Sequence, residues 1–179
     1  MTAGIGAPWS VAVAIVAAAT RRGLALATAE SLTGGALCSA LVDVPGASRA
    51  VAGGAVCYSY AAKARLLGVD AARLEADGAV TAEVAEAMAR GALELYGADL
   101  AVATTGTAGP GPDERGVPAG TVHLAFARRD SAGNVAVERE EHRFDGERQE
   151  VRAQSIDAGL RLLLRAIEGD DGQDRPGVR

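Results

Sequence analysis

Lys63 is the only lysine in a chain that carries 17 arginines. An arginine keeps its proton inside a protein, whereas a lysine taken out of water can lose one. A single Lys held among so many Arg fits chemistry that needs a neutral amine, and equally fits a chance survivor of an Arg-biased composition. Ser31 is the group such an amine would serve. A serine hydroxyl needs a base to become a nucleophile, and serine–lysine pairs are one known solution. The chain has two histidines. His123 falls within a strand pattern and His142 within the polar run Glu138 to Arg143, so neither completes a Ser-His-Asp arrangement. The residues leading to Lys63, Tyr58-Ser59-Tyr60-Ala61-Ala62, are uncharged and compatible with burial.

Ser31 is followed by Thr33-Gly34-Gly35 and then by an apolar stretch from Ala36 to Val42. That order reads as strand, tight turn and helix start. Backbone N–H groups there can receive an anion or a developing oxyanion. Ser31 or Thr33 acting as a plain helix cap explains the same residues. A second glycine-rich segment, Thr105-Gly106-Thr107-Ala108-Gly109-Pro110-Gly111, follows another apolar run. It lacks the Gly-Lys-Ser/Thr end of a Walker loop, and Pro110 interrupts the helix a dinucleotide fingerprint requires. It is either a phosphate cradle or a surface loop. Arg148, after Asp145-Gly146-Glu147, stands at a predicted helix start, where it would hold a phosphate or carboxylate or simply face solvent. No His, Cys or carboxylate spacing suggests a metal site, and none of these patterns calls for a cofactor.

The elements that must position these groups follow from hydrophobic periodicity and punctuation. A helix is expected from a Ser10 cap to Arg22, closed by Gly23. Strands are expected at Leu24 to Thr28, Val51 to Tyr58 and Leu100 to Thr104. Further helices are expected over Ala36 to Val42, Ala61 to Leu67 with Gly68 after it, and Thr81 to Tyr96 with Gly97 after it. Gly106 to Pro118 reads as a loop. Thr121 to Arg128 and Val135 to Phe144 read as an antiparallel hairpin across Ser131-Ala132-Gly133-Asn134. Asp145 is expected to cap a last helix whose apolar face is Val151, Leu160, Leu163, Leu164 and Ile167. Interleaved helices and strands without clean alternation predict one α/β domain of three layers, α/β/α, around a mixed, mostly parallel sheet. It spans residues 1–168, with a disordered tail at 169–179.

Composition narrows the function classes. The net charge is −5 over 179 residues, which argues against a general nucleic-acid binder. Hydrophobic residues are 49% of the chain and aromatics 3%. Forty residues are alanine, so the core must pack small side chains closely. Cys38 and Cys57 are too few for a disulfide framework and read as buried apolar groups. The apolar run Val11 to Ala19 is too short to cross a membrane and has its positive charges, Arg21 and Arg22, after it, the reverse of a secretory leader. A cytoplasmic protein is expected.

The segments Ala29-Glu30-Ser31-Leu32-Thr33-Gly34-Gly35, Val44-Pro45-Gly46-Ala47-Ser48, Tyr58-Ser59 with Lys63, Leu66-Leu67-Gly68-Val69, Gly78-Ala79-Val80-Thr81 and Thr105 to Gly111 occur in one order. Together they resemble the CinA C-terminal domain family, whose characterised members are nicotinamide-nucleotide amidohydrolases. The resemblance runs from about Ala29 to about Arg152. It implies a metal-free serine amidohydrolase that converts nicotinamide mononucleotide and water to nicotinate mononucleotide and ammonia, a step of pyridine-nucleotide salvage. It implies Ser31 as nucleophile, Lys63 as base and Tyr58 as its helper. Thr33, Gly34 and Gly35 would stabilise the oxyanion, and Thr105, Gly106, Gly109 and Arg148 would hold the nucleotide. Leu32 stands where the family usually has Cys, Thr107 where it has Ile, Pro112 where the loop ends in Gly, and Glu147 where it has Asp. Longer family members carry an additional N-terminal domain. Two other readings remain at this point: a non-catalytic nucleotide-binding module, and an amidase for another carboxamide. The partner expected is a small nucleotide, with no nucleic acid and no membrane, and the domain is expected to form a homo-oligomer, a dimer or higher.

Overall fold

A computed structural model describes residues 7–169. The chain runs α1 (Ala7–Arg22), β1 (Leu26–Glu30), α2 (Ala36–Val42), β2 (Val51–Val56), α3 (Tyr60–Leu67), α4 (Ala71–Asp77), α5 (Ala82–Tyr96), β3 (Leu100–Gly106), β4 (Thr121–Arg129), β5 (Val135–Arg143) and α6 (Arg148–Glu168), with one 3-10 turn at Ala47–Arg49. The five strands form one sheet in the order β2-β1-β3-β4-β5. β1 lies parallel to both β2 and β3, and β4 pairs antiparallel with β3 and with β5. Four of the five strands therefore point the same way, the mixed and mostly parallel sheet that the sequence predicts.

Side chains alternate across the sheet and divide the core in two. On one face Leu26, Leu100, Val102, Val122 and Leu124 pack with α1, α2 and α6. On the other, Ala27, Ala29, Ala101, Ala103, Ala125 and Ala127 pack beneath α5, with Leu67 and Leu74 of α3 and α4. Alanines on that face let α5 lie close to the strands. Helix α5 also approaches α3 closely, because Gly91 offers no side chain where α3 ends. A Cβ at Gly91 would stand 2.1 Å from the Leu67 carbonyl oxygen. Gly91→Ala is expected to cost about 1–3 kcal/mol by overpacking, read as a lower thermal midpoint. Because α3 carries Lys63, the variant should lose activity with stability.

Several boundaries differ from expectation. α1 starts at Ala7 and takes in Ser10, which is not its cap. Pro8 sits in the first turn, where a missing N–H costs nothing. β1 lies two residues later than expected, at Leu26–Glu30, and all five residues are buried. β3 extends to Gly106, so Thr105 and Gly106 are strand residues and not loop. α4 was not expected, although Asp70 accepts the Ala72 amide at its start and Gly78 closes it. α6 is capped by Glu147, which forms a reciprocal box with Glu150, so Asp145 is not the cap. The tail expected to be disordered lies, beyond Gly169, outside the described residues. Among the described residues no helix is long and apolar enough to cross a membrane.

Candidate active site

The end of β1 meets the start of α2 in a turn over residues 31–35. β3 lies beside it, and the Ser31 amide donates to the Thr104 carbonyl at 2.9 Å. Ser31 is thereby placed at the carboxyl end of the central parallel strands, where open α/β sheets bind ligands. Lys63 reaches it from the first turn of α3, a helix whose Ser59 cap accepts the Ala62 amide. The Lys63 Nζ donates to Ser31 Oγ at 3.0 Å and to the Cys57 carbonyl at 2.8 Å. Its side chain is 1% exposed. Burial lowers its pKa from the usual 10.5 to about 8, a shift that negative charge on the neighbouring Cys57 sulfur opposes. A lysine so placed is close to its neutral form near pH 8 while touching a serine hydroxyl, the arrangement a general base requires.

Gly35 is the first-turn boundary of α2, with φ +94° and no side-chain cap from Ser31 or Thr33. The capping group is Glu30. Its buried carboxylate accepts the amides of Gly35 at 2.9 Å, Leu37 at 3.0 Å and Cys38 at 2.8 Å, and the Thr28 hydroxyl at 3.1 Å. Glu30 is not among the residues that the sequence marks for a role of its own. Its signal was an acidic side chain just before a Gly-Gly helix start. Two of the amides expected as oxyanion donors, those of Gly34 and Gly35, have other partners. The Gly35 amide belongs to Glu30, and the Gly34 amide donates to the Ser31 carbonyl at 3.1 Å. The Thr33 hydroxyl pairs with that of Thr104 at 2.8 Å inside the core. The backbone amides of Leu32 and Thr33 are the donors of this turn with no partner among the described residues.

The nucleotide-side residues form a second group. Arg148 Nη1 donates to the Gly109 carbonyl at 2.8 Å, and its Nη2 to the Tyr58 hydroxyl at 3.0 Å. Tyr58 is 63% exposed and is not hydrogen-bonded to Ser31 or Lys63. Serine and lysine touch directly, without Tyr58 between them. Arg148, Val80, Gly106, Thr107, Gly109 and Pro110 line an open cleft of about 240 Å³. Thr105 donates its hydroxyl to the Ala79 carbonyl at 2.7 Å, tying β3 to the segment before α5. Thr107 is buried beside it, and its hydroxyl has no partner among the described residues.

Of the two histidines, His123 is buried in β4 opposite Thr105, and burial lowers its pKa. His142 lies outside the site, stacked on Phe144 and paired with Glu140 at 2.9 Å. Among the described residues no three His, Cys, Asp or Glu side chains are grouped to hold a metal ion.

A three-layer α/β domain with a buried lysine on a serine at the strand ends is the class that the fold and site define. Residues 9–167 match the model of the CinA C-terminal domain, and the chain belongs to that family. It is 49% identical over 147 residues to a CinA-like protein of Mycolicibacterium vanbaalenii, covering 82% of this chain and 34% of the relative. A CinA-like protein of Chlorobaculum tepidum is 49% identical over 143 residues, 80% of this chain and 34% of that one. The chain thus spans about a third of the length of these curated relatives. Among solved structures, the competence/damage inducible protein CihA of Agrobacterium tumefaciens superposes with a TM-score of 0.84 at 39% identity, over 94% of this chain and 99% of that one. A CinA superfamily protein of Klebsiella pneumoniae gives 0.83 at 34% identity, over 92% and 99%.

Proposed function

We propose that this domain is a serine–lysine amidohydrolase whose substrate is nicotinamide mononucleotide. The observation that carries the reading is the 3.0 Å contact between Lys63 Nζ and Ser31 Oγ in a site where burial brings the lysine pKa to about 8. Neutral Lys63 accepts the Ser31 proton as Oγ attacks the carboxamide carbon. The carbonyl oxygen becomes an oxyanion facing the free amides of the turn. The C–N bond then breaks, the Lys63 ammonium returns a proton to the departing nitrogen, and ammonia leaves. Water, deprotonated by the same lysine, attacks the acyl carbon; the C–Oγ bond breaks, the Lys63 ammonium returns that proton to Ser31 Oγ, and the acid product leaves as its carboxylate after giving its proton to solvent. Arg148 supplies the charge for the phosphate, held ready by Gly109 and oriented by Tyr58. Thr105 and the Gly106–Gly109 backbone border the ribose. No cofactor is called on.

The test is ammonia release from nicotinamide mononucleotide by the native protein, Ser31→Ala and Lys63→Arg. Release by the native protein alone is the expected result. Arginine keeps the positive charge but cannot act as a base. Full activity in Lys63→Arg would overturn the mechanism. Nucleotide binding without release by any of the three would favour a non-catalytic module, and release from unphosphorylated amides alone would move the substrate assignment.

A further inference from the structure

Arg152 lies one turn into α6 and is not used by the chemistry described above. Its Nε donates to the Leu32 carbonyl at 3.0 Å and its Nη2 to the Thr33 carbonyl at 2.9 Å. One planar guanidinium therefore holds two successive carbonyls of the turn that follows Ser31. A trans peptide directs its C=O and N–H to opposite sides. Fixing the Leu32 carbonyl toward α6 turns the Thr33 N–H away from α6. Helix α6 packs on one face of the sheet and α3, which carries Lys63, on the other. The Thr33 N–H is thus turned toward the side where Ser31 Oγ meets Lys63.

We infer that Arg152 is a positioning residue for the oxyanion hole, acting through the Leu32–Thr33 peptide without touching substrate. Two features of the turn make such a clamp necessary. Gly34 takes φ +64° and Gly35 φ +94°, so this backbone has few side-chain restraints of its own. Glu30 binds amides from Gly35 onward and leaves the 32–33 peptide unheld. Were that peptide to flip, it would present a carbonyl oxygen to the developing negative charge. The inference rests on Ser31 being the nucleophile of the proposed reaction.

Two readouts separate its failure from the failure of that reading. One is kcat and KM for ammonia release from nicotinamide mononucleotide. The other is the rate at which a fluorophosphonate labels Ser31, which needs no knowledge of the substrate. There Oγ forms the bond to phosphorus, fluoride leaves with the P–F electrons, Lys63 takes the serine proton, and the phosphoryl oxygen carries the transient charge. In Arg152→Ala both kcat and the labelling rate should fall about 100-fold, the scale of losing one oxyanion donor, with KM unchanged. Arg152→Lys, which offers one donor group to one carbonyl and keeps the charge, should fall between. Millimolar ethylguanidinium should restore part of the Arg152→Ala rate. A folded Arg152→Ala or Arg152→Lys protein with native kcat and labelling rate overturns the inference. So does a loss confined to KM. A native protein that is labelled at Ser31 but releases no ammonia overturns the substrate and leaves the labelling rates to decide Arg152. A native protein that does neither removes Ser31 as nucleophile and Arg152 with it.

Discussion

Lys63→Met is expected to abolish ammonia release, with a loss of about a thousandfold or more, the scale seen when one member of a nucleophile–base pair is removed. The native rate should also follow the protonation of this one group. Lys63 has to be neutral to accept a proton, and its pKa is lowered to about 8. kcat/KM should therefore climb about tenfold per pH unit below 8 and level off above it. Stability carries the same signature. The folded pKa lies below the unfolded value of 10.5, so between about 8 and 10.5 the unfolded chain binds more protons. The free energy of unfolding contributed by this group then rises with pH through that window. The gain is on the order of 3 kcal/mol, since one pKa unit is worth about 1.4 kcal/mol. Denaturant unfolding of native and Lys63→Met proteins at pH 7.5 and 10.5 would measure it as a difference. An equal pH response of the two proteins would show that Lys63 is not held near neutrality by the fold.

Glu30→Ala should cause the largest loss of stability among single changes near the site. Three amides lose their shared acceptor, and Thr28 loses its own. Each buried donor left short costs about 1–3 kcal/mol, partly recovered by relaxation. A net cost of about 4 kcal/mol and a fall in thermal midpoint of about 10 °C are expected. Activity should fall at temperatures where the variant is still folded, because the turn bearing Ser31 would lose its anchor on the α2 side. Glu30→Gln keeps one acceptor oxygen but sets an NH2 against an amide, and should lie between native and Glu30→Ala. A Glu30→Ala protein that melts with the native one would show that the carboxylate does not hold the turn.

The part of the site that was legible was written in residue types. The one lysine and the serine at the strand-to-helix junction are a pair that chemistry suggests and the family resemblance assigns, and the continuous apolar runs that make β1 and β3 central strands are local. What was not legible depends on chain reversal. Glu30 acts on residues five to eight positions ahead, and only after the turn has folded back over it. Arg152 acts on carbonyls about 120 positions away, and nothing in the pattern of α6 distinguishes it from a solvated helix arginine. Asp70 and Gly78 did mark α4, but the seven-residue segment between them is too short for a clear helical period. Pro8 moved the start of α1 because a proline is tolerated in the first turn, which outweighed Ser10 as a cap.

The bonds from Arg152 to the turn after β1 join nearly the two ends of the described chain. A ribosome delivers all five strands, and the helices α3 and α5 that carry and back Lys63, before α6 has emerged. The amide that would receive negative charge is set only when α6 docks. Until that final helix is in place, a nascent chain would carry its nucleophile and base without the means to stabilise what they make. On the proposed mechanism, docking of α6 is the step that completes the site.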